Sequence, residues 1–454
     1  MRSPRQIQTN PDQSAGPACD TDMTGLAQVA EAAAELADDH ARAAPAHPPS
    51  RPFPMSTTEF IALMASVQAL QALAIDSMLP ALGVMSRDLH IADANNRQLI
   101  VGVFLICAGI GSLVPGTLAD RFGRRPIMLG CLAGYLVFTI LAALAGSFEL
   151  LLLARGCMGL CSAGLTVLPP AIIRDRYDGD RMARMTSMVS MVFMVVPMIA
   201  PTLGQGVLLL AGWRWIFGIM ATMALMVMGW VYWRLPETLR PEFRQPIRFT
   251  TLARSMRMIV TTRAAFGYVF GQALMQGALF GYINCSQQLV GEHFGAGTLF
   301  PLVFGAMALV MACTNFANSR IVVRFGARRV SQTALLVYIV TSLVQLGMAL
   351  SGRETLWTFA PLMTLNLCLM GFIGANFASI ALQPFAAVAG AAASVQAFIR
   401  VALGSAIGIA VGRAYDGTPR PLAMTLLTAG SVALVLVLVS ENGRLFRRLH
   451  PRVQ

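Results

Sequence analysis

The octapeptide "ADRFGRRP" at residues 119–126 returns, altered, as "VRFGARRV" at residues 323–330. Each copy is a basic turn between two long apolar segments, so the repeat spans a whole half of the chain. Outward from these loops, apolar segments of about 20 residues recur from residue 58 onward, the length a helix needs to cross a hydrocarbon core. Twelve are expected, at 58–82, 98–118, 126–146, 149–172, 186–211, 214–234, 264–286, 298–319, 331–351, 357–381, 391–413 and 421–440. The first loop follows segment 2 and the second follows segment 8, which divides the segments into two sets of six. The fold class expected is an all-α polytopic membrane protein, twelve transmembrane helices in two pseudo-symmetric six-helix halves. The halves occupy 56–235 and 264–440, with a charged linker at 236–263 and a basic tail at 441–454.

Composition agrees with a membrane location. The 454 residues are 56% hydrophobic and 12% charged, with a mean hydropathy of +0.63, too apolar for a soluble multidomain protein. There is no lysine, so all 34 basic residues are arginine. That absence excludes a lysine-containing phosphate loop and any lysine Schiff base. The eight cysteines show no metal-ligand spacing and read as small core residues, almost all within apolar segments. The five histidines fall in tails or loops, which leaves no imidazole to carry protons inside the membrane.

Arginine placement gives the orientation. Connections after segments 2, 4, 6 and 8, with the C-terminal tail, hold 22 arginines, whereas the alternate connections hold six: Arg87, Arg97, Arg214, Arg353, Arg413 and Arg420. By the positive-inside rule both termini are cytoplasmic. Residues 1–55 carry four arginines against seven acids and read as a disordered tail. The stretch "MRSPRQIQTN" lacks the apolar core of a secretory signal, and Met55 is an alternative start.

The stretch "GTLADRFGRRP", with Gly116, Asp120, Arg121, Gly123, Arg124 and Arg125, resembles the signature loop of the major facilitator superfamily. Within it the chain resembles the drug:proton antiporters of the bicyclomycin-resistance (Bcr/CflA) type. "IDSMLPAL", "RGCMGLCSAG", "WRWIF", "LPETLRPE" and "AGAAASVQAFIRVALGSAIG" carry that narrower likeness, which covers about residues 58–440. It implies a transporter rather than an enzyme, with no cofactor, driven by a proton gradient. The partners implied are a small-molecule substrate, protons and the lipid bilayer, with no nucleic acid and no metal, for a monomer in the bacterial inner membrane. It also implies a gate at residues 116–125, with Asp120 facing the positive N-terminus of segment 11 and stabilising the state closed to the cytoplasm. A purely topogenic cluster of positive charge is the plainer reading. Two departures stand out. The antiporter pattern G-P-x-x-G-G reads "APTLGQ" at 200–205, where Pro201 and Gly204 remain and Pro197 precedes them. In the second loop the acid is replaced by Val323.

Asp76 is the one acid deep in an apolar segment, where a charge costs about 2.5–3.5 kcal/mol. At 1.5 Å per residue, Asp76 and Arg155 both lie about 9–10 Å below the outer surface and are in range to pair. Burial favours the protonated acid and a nearby guanidinium the ionised one, the competition a reversible proton carrier needs. A structural ion pair is the alternative. Arg400 reaches mid-membrane as a substrate anchor or an ion-pair partner, and must face protein or water. Gln272, Gln276 and Phe280 share one face of segment 7, suited either to varied ligands or to interhelical hydrogen bonds. Met185, Met188, Met191, Met194 and Met198 form a stripe without Cys or His, which reads as flexible packing rather than a Cu(I) path. The function expected is proton-coupled efflux of small amphipathic compounds, antibiotics included, by alternating access. A permease for a single metabolite and a transport-inactive sensor or scaffold are the alternatives.

Overall fold

The computed structural model describes residues 55–91, 93–177, 179–239, 242, 244 and 249–446. The N-terminal tail, part of the linker and residues 447–454 of the basic tail therefore lie outside the described residues. Among those described, the chain is helical with no strand. Ten helices are long and apolar enough to cross a membrane, and the pair Asn95–Gly111 and Val114–Phe122, bent by 44°, makes an eleventh. Arg263–Gln287 completes the twelve; it has the length at 25 residues but carries Gln272, Gln276 and Asn284 among its apolar side chains.

In chain order spans 1–6 are Thr57–Asp88, the bent pair, Arg124–Ala143, Phe148–Arg176, Arg184–Ala211 and Trp213–Arg234. Spans 7–12 are Arg263–Gln287, Gly297–Phe325, Ala327–Ser351, Leu356–Phe385, Ala392–Arg413 and Arg420–Ser440. The end of the bundle carrying the loops at 119–126 and 323–330 is called the linker end, and the other the far end.

Prolines explain where the helices depart from continuous rods. Span 1 is a helix over Thr57–Asp76, a 3-10 turn over Leu79–Ala81 and a short helix over Leu82–Asp88. Pro80 has no N–H for the carbonyl of Asp76, and the Ser77 hydroxyl bonds back to the Leu73 carbonyl, so the regular ladder stops beside the acid. Span 5 breaks at Val195 with Pro197 opening its second piece, Val196–Ala211. The linker contains a helix the sequence reading lacked, Phe249–Thr261. It is amphipathic, burying Met258 and Ile259 while Arg254 and Arg257 stay exposed.

The halves meet along two seams, span 2 against span 11 and span 5 against span 8. Polar contacts between them, among the described residues, cluster at the far end. Arg97, in the first turn of span 2, grips Glu292 through both carboxylate oxygens at 2.7 and 2.8 Å. Asn95 donates to the carbonyls of Tyr415 and Arg413 at 2.7 and 3.3 Å, and the side chains of Gln98 and Gln288 meet between them.

Candidate functional site

Asp76 is the last residue of the first helix of span 1, at the break, and is 6% exposed. No ion pair or hydrogen bond reaches its carboxylate among the described residues. The break is backed by span 5, where Gly204 packs on the Ser77 carbonyl so closely that a Cβ would collide with it. Pro201 is buried one turn earlier, while Pro197 is half-buried at the opening of the helix. The helix-5 residues singled out in the sequence thus converge on the backbone that follows Asp76.

Arg155 is fully buried in span 4, but the expected pair with Asp76 is not made. Its guanidinium donates to the carbonyls of Ile100 at 2.9 Å and Ala74 at 3.0 Å and lies over the Phe104 ring, 4.3 Å from its centroid. Direction, not depth, separates the residues: Arg155 reaches the Ala74 carbonyl, two residues before Asp76, but the Asp76 side chain leaves its helix about 200° round the axis from that of Ala74. Arg155 therefore fastens spans 1, 2 and 4 through backbone oxygens. Tyr135, which the sequence did not single out, does the same from span 3, donating to the Leu70 carbonyl at 2.9 Å. About two turns of span 1, from Leu70 to Ser77, are held by groups that touch its main chain.

At the linker end, Gly123 has φ 107° and lets span 3 begin immediately after span 2. Arg124 is 3% exposed and pairs with Asp120 at 2.7 Å and with Asp175 of span 4 at 2.8 Å. Glu237, from "LPETLRPE", accepts the main-chain N–H groups of Arg124 and Arg125 at 2.9 and 3.2 Å, supplying a carboxylate at the positive start of span 3. Arg125 reaches the Tyr232 carbonyl, Arg121 is exposed, and Gly116 lies in ordinary contact with Val167. These partners all belong to the first half. Asp120 is bound to Arg124 and half-exposed; the side chains at the start of span 11's helix, Ala389–Arg413, where its contact was expected, lie outside the described residues.

In the second half a polar ladder joins spans 7 and 11. Gln272 accepts from Gln396 at 2.9 Å and donates to the Gly374 carbonyl of span 10 at 3.1 Å. One turn on, Gln276 accepts from Arg400 at 2.8 Å. One turn further, Phe280 is 8% exposed against Gly408. Gln272 is therefore committed to the interhelical bonding weighed above, whereas Gln276 and Arg400 remain partly exposed in mid-span. Gln396, silent in the sequence, completes the ladder. Among the described residues no group of three or more His, Cys, Asp or Glu side chains is placed to hold a metal, and Cys313 is exposed rather than a core residue.

Comparison with known proteins gives the architecture its family. The chain is 27% identical to a bicyclomycin resistance protein homolog of Haemophilus influenzae, covering 84% of this chain and 95% of that protein. It is 28% identical to the multidrug resistance protein MdtL of Klebsiella pneumoniae (strain 342), over 84% and 95%. It is 26% identical to a chloramphenicol resistance protein of Pseudomonas aeruginosa, over 84% and 90%. Among solved structures, a D-xylose-proton symporter superposes with a TM-score of 0.66 at 15% identity, over 85% of this chain and 97% of that one. The human organic anion transporter MFSD10 gives 0.59 at 17%, over 85% and 100%. Both share the fold. The sequence model of the Major Facilitator Superfamily matches residues 64–412, and with twelve spans in two like halves on the page, the chain belongs to that family.

Proposed function

We propose that this chain exports small amphipathic compounds, antibiotics among them, in exchange for protons across the bacterial inner membrane. One observation carries the coupling role of Asp76. It is the sole acid away from the ends of any span, it sits at a helix break, and among the described residues no cation neutralises it. An unpaired carboxylate in a membrane interior is costly when charged, so it holds a proton readily and releases it when water or a cation approaches. The family names of the similar proteins support drugs as the cargo. On this reading the arginine-rich linker end is cytoplasmic, with both termini on that side. The far-end contacts of Arg97 with Glu292 and of Asn95 with Tyr415 then hold the outer side shut, while the two halves rock about the seams between spans 2 and 11 and spans 5 and 8. Asp120 and Arg124 bias the inner side of that motion.

Inducible expression in a host stripped of its efflux pumps tests the cargo directly. Export of varied drugs predicts raised tolerance to several structurally unlike antibiotics, only when expression is induced. Unchanged susceptibility across the panel contradicts it, and an altered response to one metabolite alone indicates a narrow permease.

A further inference from the structure

Spans 7–12 contain no aspartate or glutamate, yet Arg400 sits eleven residues into the helix Ala389–Arg413, about 17 Å from its start. A guanidinium at that depth requires a counter-charge or a full set of acceptors. The Gln276 amide oxygen is the single protein acceptor it has among the described residues. With its oxygen accepting from Arg400, the Gln276 amide has its NH2 group left to donate, so the free hydrogen-bonding capacity of the pair is mainly N–H. The next rung toward the linker end is closed by Gln272 and Gln396 bonding each other, and the next toward the far end is lined by buried Phe280. Gly404 seats the Gln276 side chain and Gly408 seats Phe280, so spans 7 and 11 are close enough to hold the ladder rigid. Both Gln276 and Arg400 keep partial exposure in mid-span, which a charged group retains only where it opens on a water-filled cavity rather than on lipid.

From this geometry we propose that Arg400 and Gln276 form an oxyanion-recognition point, and that the preferred substrates are amphipathic compounds carrying a carboxylate or a similar delocalised oxygen anion beside an apolar ring. The inference rests on the transport reading above and deepens it to a substrate class. A planar guanidinium meets a carboxylate with two parallel hydrogen bonds, the Gln276 NH2 adds a third, and Phe280 one turn away offers apolar surface for the ring. In the other half Asp76 is the one mid-span acid, and it takes no part in the ladder.

The test uses three probes of one shape: 1-naphthoate, neutral 1-naphthamide and cationic 1-naphthylmethylammonium. Equilibrium binding to the purified full-length protein in nanodiscs needs no gradient. The proposal predicts that naphthoate binds about tenfold or more tighter than naphthamide, as charge-assisted pairing implies. Arg400→Gln should bring the acid within about twofold of the amide. Gln276→Glu, which gives Arg400 an internal carboxylate and keeps its charge satisfied, should remove acid binding with the same melting behaviour as wild type. Equal or tighter binding of the amide or the cation by wild type overturns the proposal. So does Gln276→Glu retaining the acid preference, or Arg400→Gln weakening all three probes alike. Loss of proton coupling is a separate failure, read in the Asp76 experiment below, and does not enter these affinities.

Discussion

The loops at 119–126 and 323–330 share the sequence R-F-G yet are held differently. In the first half, Asp120 and Arg124 pair with each other, and Arg124 is also bound to Asp175, so three spans are joined by one buried guanidinium. In the second half both members of that pair are apolar, Val323 and Ala327, and Val323 is 89% exposed. The second loop is instead anchored by Arg328, which meets Glu441 at 2.8 Å beyond span 12 while Tyr268 donates to the same carboxylate at 2.6 Å. The acid and its arginine have been replaced as a set. One loop is a charged joint with a half-exposed acid, and the other is a tie to the end of its own half.

Removing the arginines should break this comparison most strongly. Arg124→Ala strands Asp175, which is 14% exposed, without its cation, a change that costs about 3–5 kcal/mol for a buried pair. Arg328→Ala leaves Glu441 with the Tyr268 hydroxyl and should cost less, about 1–3 kcal/mol. Thermal unfolding of the detergent-purified variants ranks the two, and an equal or reversed order shows that the loops are anchored alike.

Turnover should separate the loops next. Asp120→Asn is expected to slow transport several-fold without loss of substrate binding, because the side chain acts on the joint and not on the ligand. Val323→Asp places an acid at the matching position but opposite Ala327, and should change transport by less than twofold. Binding lost as completely as transport in Asp120→Asn removes the gating role.

The smallest effect concerns the far-end turns between spans 3 and 4 and between spans 9 and 10. Ser147 and Thr355 cap the helices that follow, but only the second turn places an acid before the cap. Both oxygens of Glu354 are buried without a hydrogen-bond partner, and burial pushes its carboxyl up to about 7. A raised carboxyl favours the protonated folded state, so this contribution is full below the ordinary 4.5 and is lost as pH rises through about 7. Glu354→Gln should flatten the fall in melting temperature between pH 5 and 8, by a degree or two on the order expected for a surface turn. An unchanged pH profile shows that the buried carboxyl does not contribute.

Much of the fold was legible because membrane spans declare themselves by length and hydropathy, and because the two R-F-G loops mark the halves. The break in span 1 was legible too, since Pro80 lies four residues beyond Asp76. What failed was direction: Arg155 reaches the turn of span 1 that holds Asp76, but meets the Ala74 carbonyl there and not the carboxylate. Arg155 binds carbonyl oxygens instead, and main-chain acceptors leave no trace in a sequence. For the same reason Tyr135 passed unnoticed. Glu237 was quoted within "LPETLRPE", but its capping of a helix more than a hundred residues away appears only once the chain folds. Gln396 became informative only opposite Gln272, because the ladder needs the registers of two helices at once.

The central claim is that Asp76 carries the coupled proton, and proton movement driven by substrate in sealed proteoliposomes tests it most directly. A substrate gradient imposed across vesicles containing wild-type protein should drive protons the opposite way, reported by a pH-sensitive dye trapped inside. Asp76→Asn keeps the shape of the side chain but cannot titrate, so it should insert normally, continue downhill exchange of substrate and drive no protons. Substrate-driven proton movement at the wild-type rate in Asp76→Asn would contradict the account.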